Sequence, residues 1–116
     1  MNAKYWQKGE TLDYTAAEKV TNGQVINLVT RIGIAGSDIP AGAQGHVHVV
    51  GVFDLDKAEG EEIAMGASVY YDASADKITT TASKTVGTET VNNTPAGYAA
   101  AAAAAADATV LVKLLG

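Results

Sequence analysis

Apolar and polar residues alternate with period two along much of this chain, the pattern of half-buried β-strands. The clearest example is Gly45 to Lys57, GHVHVVGVFDLDK. Val47, Val49, Phe53 and Leu55 fall on one face, and His46, His48, Val50, Val52, Asp54 and Asp56 on the other. From Val49 to Phe53 both faces are apolar, so the stretch is expected to be a central strand covered on both sides. Its charged ends are expected to reach solvent. Gly51 marks a bend or a close approach.

Around it the same pattern predicts further short strands. Thr11 to Thr15 is one, with Leu12 and Tyr14 on a shared side. Ala16 to Gly23 is a polar loop ending in the turn signal Asn22-Gly23. Gln24 to Ala35 is expected to be a single second strand, with Ile26, Leu28, Ile32 and Ile34 on one face. Gly36 to Gly45 is a Gly/Pro loop, and Ala58 to Gly66 an acidic loop with room for one short turn. Ala67 to Asp72 and Lys77 to Ala82 read as strand, turn and strand. The Thr-rich stretch Ser83 to Asn93 is another strand or an extended loop. Eight alanines run from Ala99 to Ala106. Propensity alone favours a helix there. A helix so short is marginal, and no capping residue directly precedes Tyr98, so a strand from Gly97 to about Ala102 is preferred, with the helix as the alternative. A turn near Ala106-Asp107 then leads to a last strand, Thr109 to Leu115.

These elements predict a mainly β chain: a small single-domain β-barrel or sandwich-like fold of about seven or eight short strands. Residues 10–116 form that domain, and residues 1–9 a flexible N-terminal arm. In the arm, Tyr5 and Trp6 stand alone as large apolar groups. Two readings stay open for Trp6: it folds back on its own core, or it anchors a partner.

Composition narrows the function. A length of 116 residues suits one domain with a real core. The net charge of -5 and the scattered lysines speak against nucleic acid as a partner. The absence of cysteine removes disulfides and thiolate metal sites. The N-terminus has no apolar h-region, and no run approaches the length of a membrane span, so a soluble protein assembled in the cytoplasm is expected. No nucleophile elbow or phosphate-binding loop is present, so no catalytic residue and no cofactor is assigned. His46 and His48 share a strand face at a spacing compatible with a metal, with Asp54 or Asp56 as a possible third ligand. Two ligands alone do not make a site, and none is assigned. Asp54, Asp56, Glu59, Glu61 and Glu62 lack the spacing of a calcium loop and read as a solvated acidic run.

One ordered set of segments adds to this reading. It runs Gly9 to Thr15 (GETLDYT), Ile39 to Gly42 (IPAG), Gly51 to Leu55 (GVFDL) and Ala67 to Asp72 (ASVYYD). It continues through Lys77 to Thr81 (KITTT), Pro95 to Ala99 (PAGYA) and Ala108 to Leu114 (ATVLVKL). In this order the segments resemble the small capsid cement, or head decoration, proteins of tailed bacteriophages. The long alanine run departs from the more mixed segment such proteins carry. The resemblance implies a non-enzymatic homotrimer on the outer capsid surface of the virion, clamping neighbouring major capsid subunits. It also implies an arm, Lys4, Tyr5, Trp6 and Gln7, that docks on the capsid by strand addition. His46, His48 and Tyr98 are the residues then expected at the trimer interface. A small β-barrel module binding carbohydrate or metal is the alternative.

Overall fold

The computed structural model describes residues 1–115, and among them it has eleven strands and no helix. β1 (Thr11–Thr15), β2 (Val25–Asn27), β3 (Ile32–Ala35) and β4 (Gln44–His48) form a small antiparallel sheet in the order β1-β4-β3-β2. A larger antiparallel sheet runs β5-β11-β10-β6-β7. Its strands are β5 (Val52–Asp56), β6 (Ser68–Asp72), β7 (Lys77–Thr79), β10 (Thr94–Ala99) and β11 (Thr109–Leu114). β8 (Ser83–Val86) and β9 (Glu89–Asn92) pair only with each other.

The stretch expected to be one central strand is two strands in two sheets. β4 ends at His48, the chain turns at Gly51 with φ +124, and β5 begins the large sheet. β4 is an inner strand, as expected, but β5 is an edge strand. Val50 and Val52 are therefore exposed rather than covered. The strand buried on both faces is β3. Ile32 and Ile34 point into one core and Ala35 into the other. The Gln24 to Ala35 stretch is a hairpin, not one strand. It reverses at Val29, whose φ is +74, while the Asn27 Oδ1 accepts the Val29 amide at 2.9 Å.

Two cores follow from this layout. The main one sits on the inner face of the large sheet, where Leu55, Val69, Ile78, Val110, Val112 and Leu114 meet Ile32 and Ile34 of the small sheet. This is sandwich-like packing. The second lies under the small sheet and uses two segments that look like plain loops. Ala16, Val20 and Ile39 are buried there with Val47 and Val49, strapped by the Val20–Ile39 bridge. The barrel does not close. The large sheet curls until Lys57 and Ile78 form one parallel bridge, with the Ala58 amide donating to the Ile78 carbonyl at 2.8 Å. One bridge is not a ladder, so β5 and β7 keep free edges.

The alanine run is neither helix nor long strand. β10 ends at Ala99, and the rest is a turn-rich loop. Its backbone groups are satisfied elsewhere, which removes the incentive to coil. Ala103 exchanges both bonds with Ile63, at 2.9 and 2.8 Å. The Asp107 carboxylate accepts the Ala104 amide, and the Ala104 carbonyl accepts the Asp107 amide. The turn expected at Ala106-Asp107 is present.

The Thr-rich stretch is the β8–β9 hairpin, reversing at Gly87 with φ +65. An isolated two-stranded hairpin is marginal in water. Here the Lys84 ammonium, 2.7 Å from Asp72, ties it to the β6–β7 turn and holds the Asp72 carboxyl below its ordinary value. Lys84 also donates to Ser74, and the Asn93 amide donates to the Thr81 carbonyl.

Candidate functional site

Met1 to Gly9 carries no strand, and Met1 to Lys8 is exposed throughout. Tyr5 and Trp6 are each 85% exposed, so Trp6 is not folded back on the core. The segment is rooted where the Glu10 carbonyl accepts the Val49 amide at 3.0 Å, beside the crossing from β4 to β5.

That crossing leads onto the outer face of the large sheet. Register places Val52 beside Lys113, Lys113 beside Tyr98, and Tyr98 beside Ser68. Val52 is 51% exposed and Tyr98 48%, with Leu111 and Leu115 also open to solvent. An isolated exposed apolar residue needs no explanation; here several lie open on or beside one face, interleaved with Lys113 and Ser68. Alternation in VFDLD makes Val52, Asp54 and Asp56 legible as one face. What the sequence does not reveal is that this face is left uncovered.

The two histidines share the outer face of β4, as expected, but diverge in their contacts. His46 Nε2 lies 3.6 Å from the Asp13 carboxylate of β1. The His48 ring packs on Phe53, with centroids 5.8 Å apart. Neither Asp54 nor Asp56 joins them, and no group of three or more side chains suited to a metal stands among the described residues. Tyr98 is in the other sheet, and no strand pairing brings it to the histidines.

The acidic run divides on folding. Asp54, Asp56, Glu59 and Glu62 are solvated, but Glu61 is a structural anchor. Its carboxylate accepts the Thr80 amide at 2.9 Å and the hydroxyls of Thr79 and Thr80. Partial burial pushes its pKa up. The Thr80 amide, both hydroxyls and the Lys57 charge outweigh that, and the net direction is down. A depressed carboxyl stabilises the fold above its unfolded pKa, and the contribution is lost as pH falls through the lower folded value. Glu61→Gln is therefore expected to cost about 1 kcal/mol at pH 7, low for bonds to a charge because water reaches the group. Urea titrations at pH 7 and in acid check this. The gap between variant and wild type should shrink below the ordinary value of 4.5, and a constant gap would contradict the assignment.

Lys57 was expected at a solvated strand end, but it is 1% exposed. Its ammonium donates to the carbonyls of Ala58 at 2.9 Å, Glu61 at 2.7 Å and Ala105 at 3.3 Å. Tyr71 likewise donates to the Asp76 carboxylate at 2.6 Å, and burial followed by that bond pushes its phenol up. Both groups are committed to holding loops.

The concave features are open grooves. One of about 480 Å³ runs along the free edge of β5, past Asp54 and Asp56 to Asp76 and Lys77. Another of about 650 Å³ lies between Val29 and the foot of the β8–β9 hairpin. Neither gathers a nucleophile, a base and an oxyanion donor.

No curated protein and no solved structure shows significant similarity to the chain. A family model described as phage cement protein matches residues 6–114, nearly the full length. This family is structural and capsid-associated, and the match spans both sheets and only the last residues of the exposed segment, from Trp6. The chain belongs to the phage cement protein family.

Proposed function

We propose that this protein binds the outer surface of a tailed-phage capsid as a homotrimer and stabilises contacts between major capsid subunits. The observation that carries this reading is the placement of unspent apolar surface. Tyr5, Trp6, Val52, Tyr98 and Leu111 are exposed on a fold whose cores are already complete without them. A rigid β-domain with one such face and one protruding segment suits a clamp. Many identical copies on one shell let modest contacts sum through multivalency. The net charge of -5 fits a protein partner rather than nucleic acid.

Within this reading, residues 10–116 are the clamp body. Lys4, Tyr5, Trp6 and Gln7 form the arm through which it reaches neighbouring subunits in the assembled shell. His46, His48 and Tyr98 are outward-facing and available to subunit contacts.

Co-sedimentation with expanded capsids tests the reading. Wild type is expected to pellet with the shells at saturating stoichiometry. Deleting Met1 to Lys8 should weaken binding at least tenfold and leave the circular dichroism and melting curve unchanged, because the arm contributes to neither core. Unchanged pelleting of the truncated chain would refute the role of the arm.

A further inference from the structure

We propose that the arm of one copy adds as an antiparallel strand to the free edge of β5 in a second copy. Lys4 then lies opposite Asp54, and Trp6 opposite Val52. The free edge is defined by its hydrogen bonds. The Leu114 amide donates to the Gly51 carbonyl, and the Lys57 amide to the Ala108 carbonyl, so Gly51 and Lys57 face β11. Alternation gives Phe53 and Leu55 the same direction. The N–H and C=O groups of Val52 and Asp54 therefore point away from the sheet, unpaired, while at Asp56 the edge meets β7 through the Lys57–Ile78 bridge.

Three features suit this edge to the arm. First, it borders the open groove of about 480 Å³, so there is space beside it. Second, the charges are complementary. Asp54, Asp56 and Asp76 line the groove against one basic residue, Lys77. Lys4 and Lys8 are the basic residues of the arm, and Lys4 forms no ion pair among the described residues. Third, the apolar positions match. An antiparallel register pairing Lys4 with Asp54 pairs Trp6 with Val52, and the added strand ends before the Lys57–Ile78 bridge. Cross-strand pairs of this kind stabilise sheets, and main-chain bonds at a sheet edge supply affinity.

Register also decides against the arm of the same copy. β1 pairs β4 with Leu12 opposite Val47. Continued without a break towards β5, that ladder sets Trp6 opposite Phe53 and Lys4 opposite Leu55. Leu55 is buried and faces the core, so the lysine would be turned inward. A slip of one residue reverses every side chain, and a separate copy is free to take the favourable register. Arm into edge is a head-to-tail contact, and it closes as a ring when the rotation between copies permits. The inference rests on the self-association half of the proposed function and does not require the shell.

Size and fluorescence in solution test it, since Trp6 is the only tryptophan. Light scattering across a dilution series should show wild type as a trimer. Its tryptophan emission should be blue-shifted in the trimer and revert on dissociation. Asp54→Lys should raise the concentration needed for assembly at least tenfold, and Lys4→Glu with Asp54→Lys in one chain should recover most of the loss. Both positions are exposed, so circular dichroism should be unchanged. A blue-shifted monomer would mean that the arm folds onto its own copy, overturning the proposal. So would a trimer indifferent to Asp54→Lys, or a monomer with solvent-like emission at every concentration. A monomer that still pellets with capsids would overturn this inference alone. A trimer that does not pellet would instead overturn the shell reading.

Discussion

Gly97→Ala is expected to destabilise the domain by about 3–5 kcal/mol, from backbone strain and overpacking together. A Cβ added at Gly97 would lie 1.9 Å from the Lys113 carbonyl oxygen and 2.9 Å from its carbon. Its φ of +143 is also one that side-chain-bearing residues rarely adopt. Both obstacles are backbone, so no rotamer change relieves them. The position matters because β10 is the middle strand of the large sheet and shifts register against β6 between Pro95 and Gly97. Moving β10 to admit a methyl group would disturb its ladders with β6 and β11 together. Gly45 provides the control. A Cβ there would meet Ile39 Cδ1 and Cγ1, both at 2.5 Å, which belong to a buried side chain rather than to backbone. Gly45→Ala adds no backbone strain and is therefore expected to cost less, roughly 1–3 kcal/mol, the overpacking range. Urea unfolding of both variants checks the ordering. Equal midpoints would show that β10 and β11 have more freedom than the close approach implies.

The strand pattern was legible wherever one face is buried and the other wet. β6 and β11 lie where alternation places them, because Val69 and Tyr71, and Val110, Val112 and Leu114, need the same core side; β1 is also where it was expected, but only Tyr14 packs on a core and Leu12 is exposed. Alternation fails where the chain changes sheets without changing parity. Val47, Val49, Phe53 and Leu55 keep one inward period through Gly51, so the break between β4 and β5 leaves no mark in the pattern. The reversal at Val29 is hidden for a related reason. A β-branched residue at positive φ is the opposite of a turn signal, and the Asn27 side chain makes it possible. Propensity misleads at the alanine run because bonds to Ile63, Lys57 and Asp107 outweigh a preference of tenths of a kcal/mol per residue. For the exposed surface, Tyr5 and Trp6 stood out in the sequence, but whether Trp6 folds back or stays open was not legible there; its exposure is what the fold adds. Nor was the acidic edge of β5 legible, since which strand lies at an edge is a property of topology. His46 and His48 drew attention by residue type, yet their partners, Asp13 and Phe53, come from strands that spacing cannot connect.

Lys57→Met is expected to cost about 3–4 kcal/mol, the second large effect. Methionine keeps the unbranched stem in its buried channel and removes only the ammonium, which isolates the polar contribution. An ammonium has three hydrogens, and here each meets a carbonyl, from Ala58, Glu61 and Ala105. Hydrogen bonds to a charge contribute about 1.5–3 kcal/mol each, and a buried carbonyl left without a partner costs about 1–3. Water reaching part of the site keeps the total below the full sum. The loss should also be local in character. Ala58 and Glu61 belong to the acidic loop and Ala105 to the alanine loop, and Lys57 itself forms the one bridge to Ile78 that draws β5 towards β7. Without the ammonium, both loops and that seam lose a shared anchor, so amide exchange at Ile63 and Ala103 should accelerate before the rest of the sheet opens. A domain of this size has only about 5–15 kcal/mol in total, and a loss of 3–4 would lower the melting temperature by roughly 10–20 °C. Calorimetry and hydrogen exchange together decide the matter. A melting point within a few degrees of wild type would mean that the three carbonyls find water, and that the lysine is a filler rather than a pin.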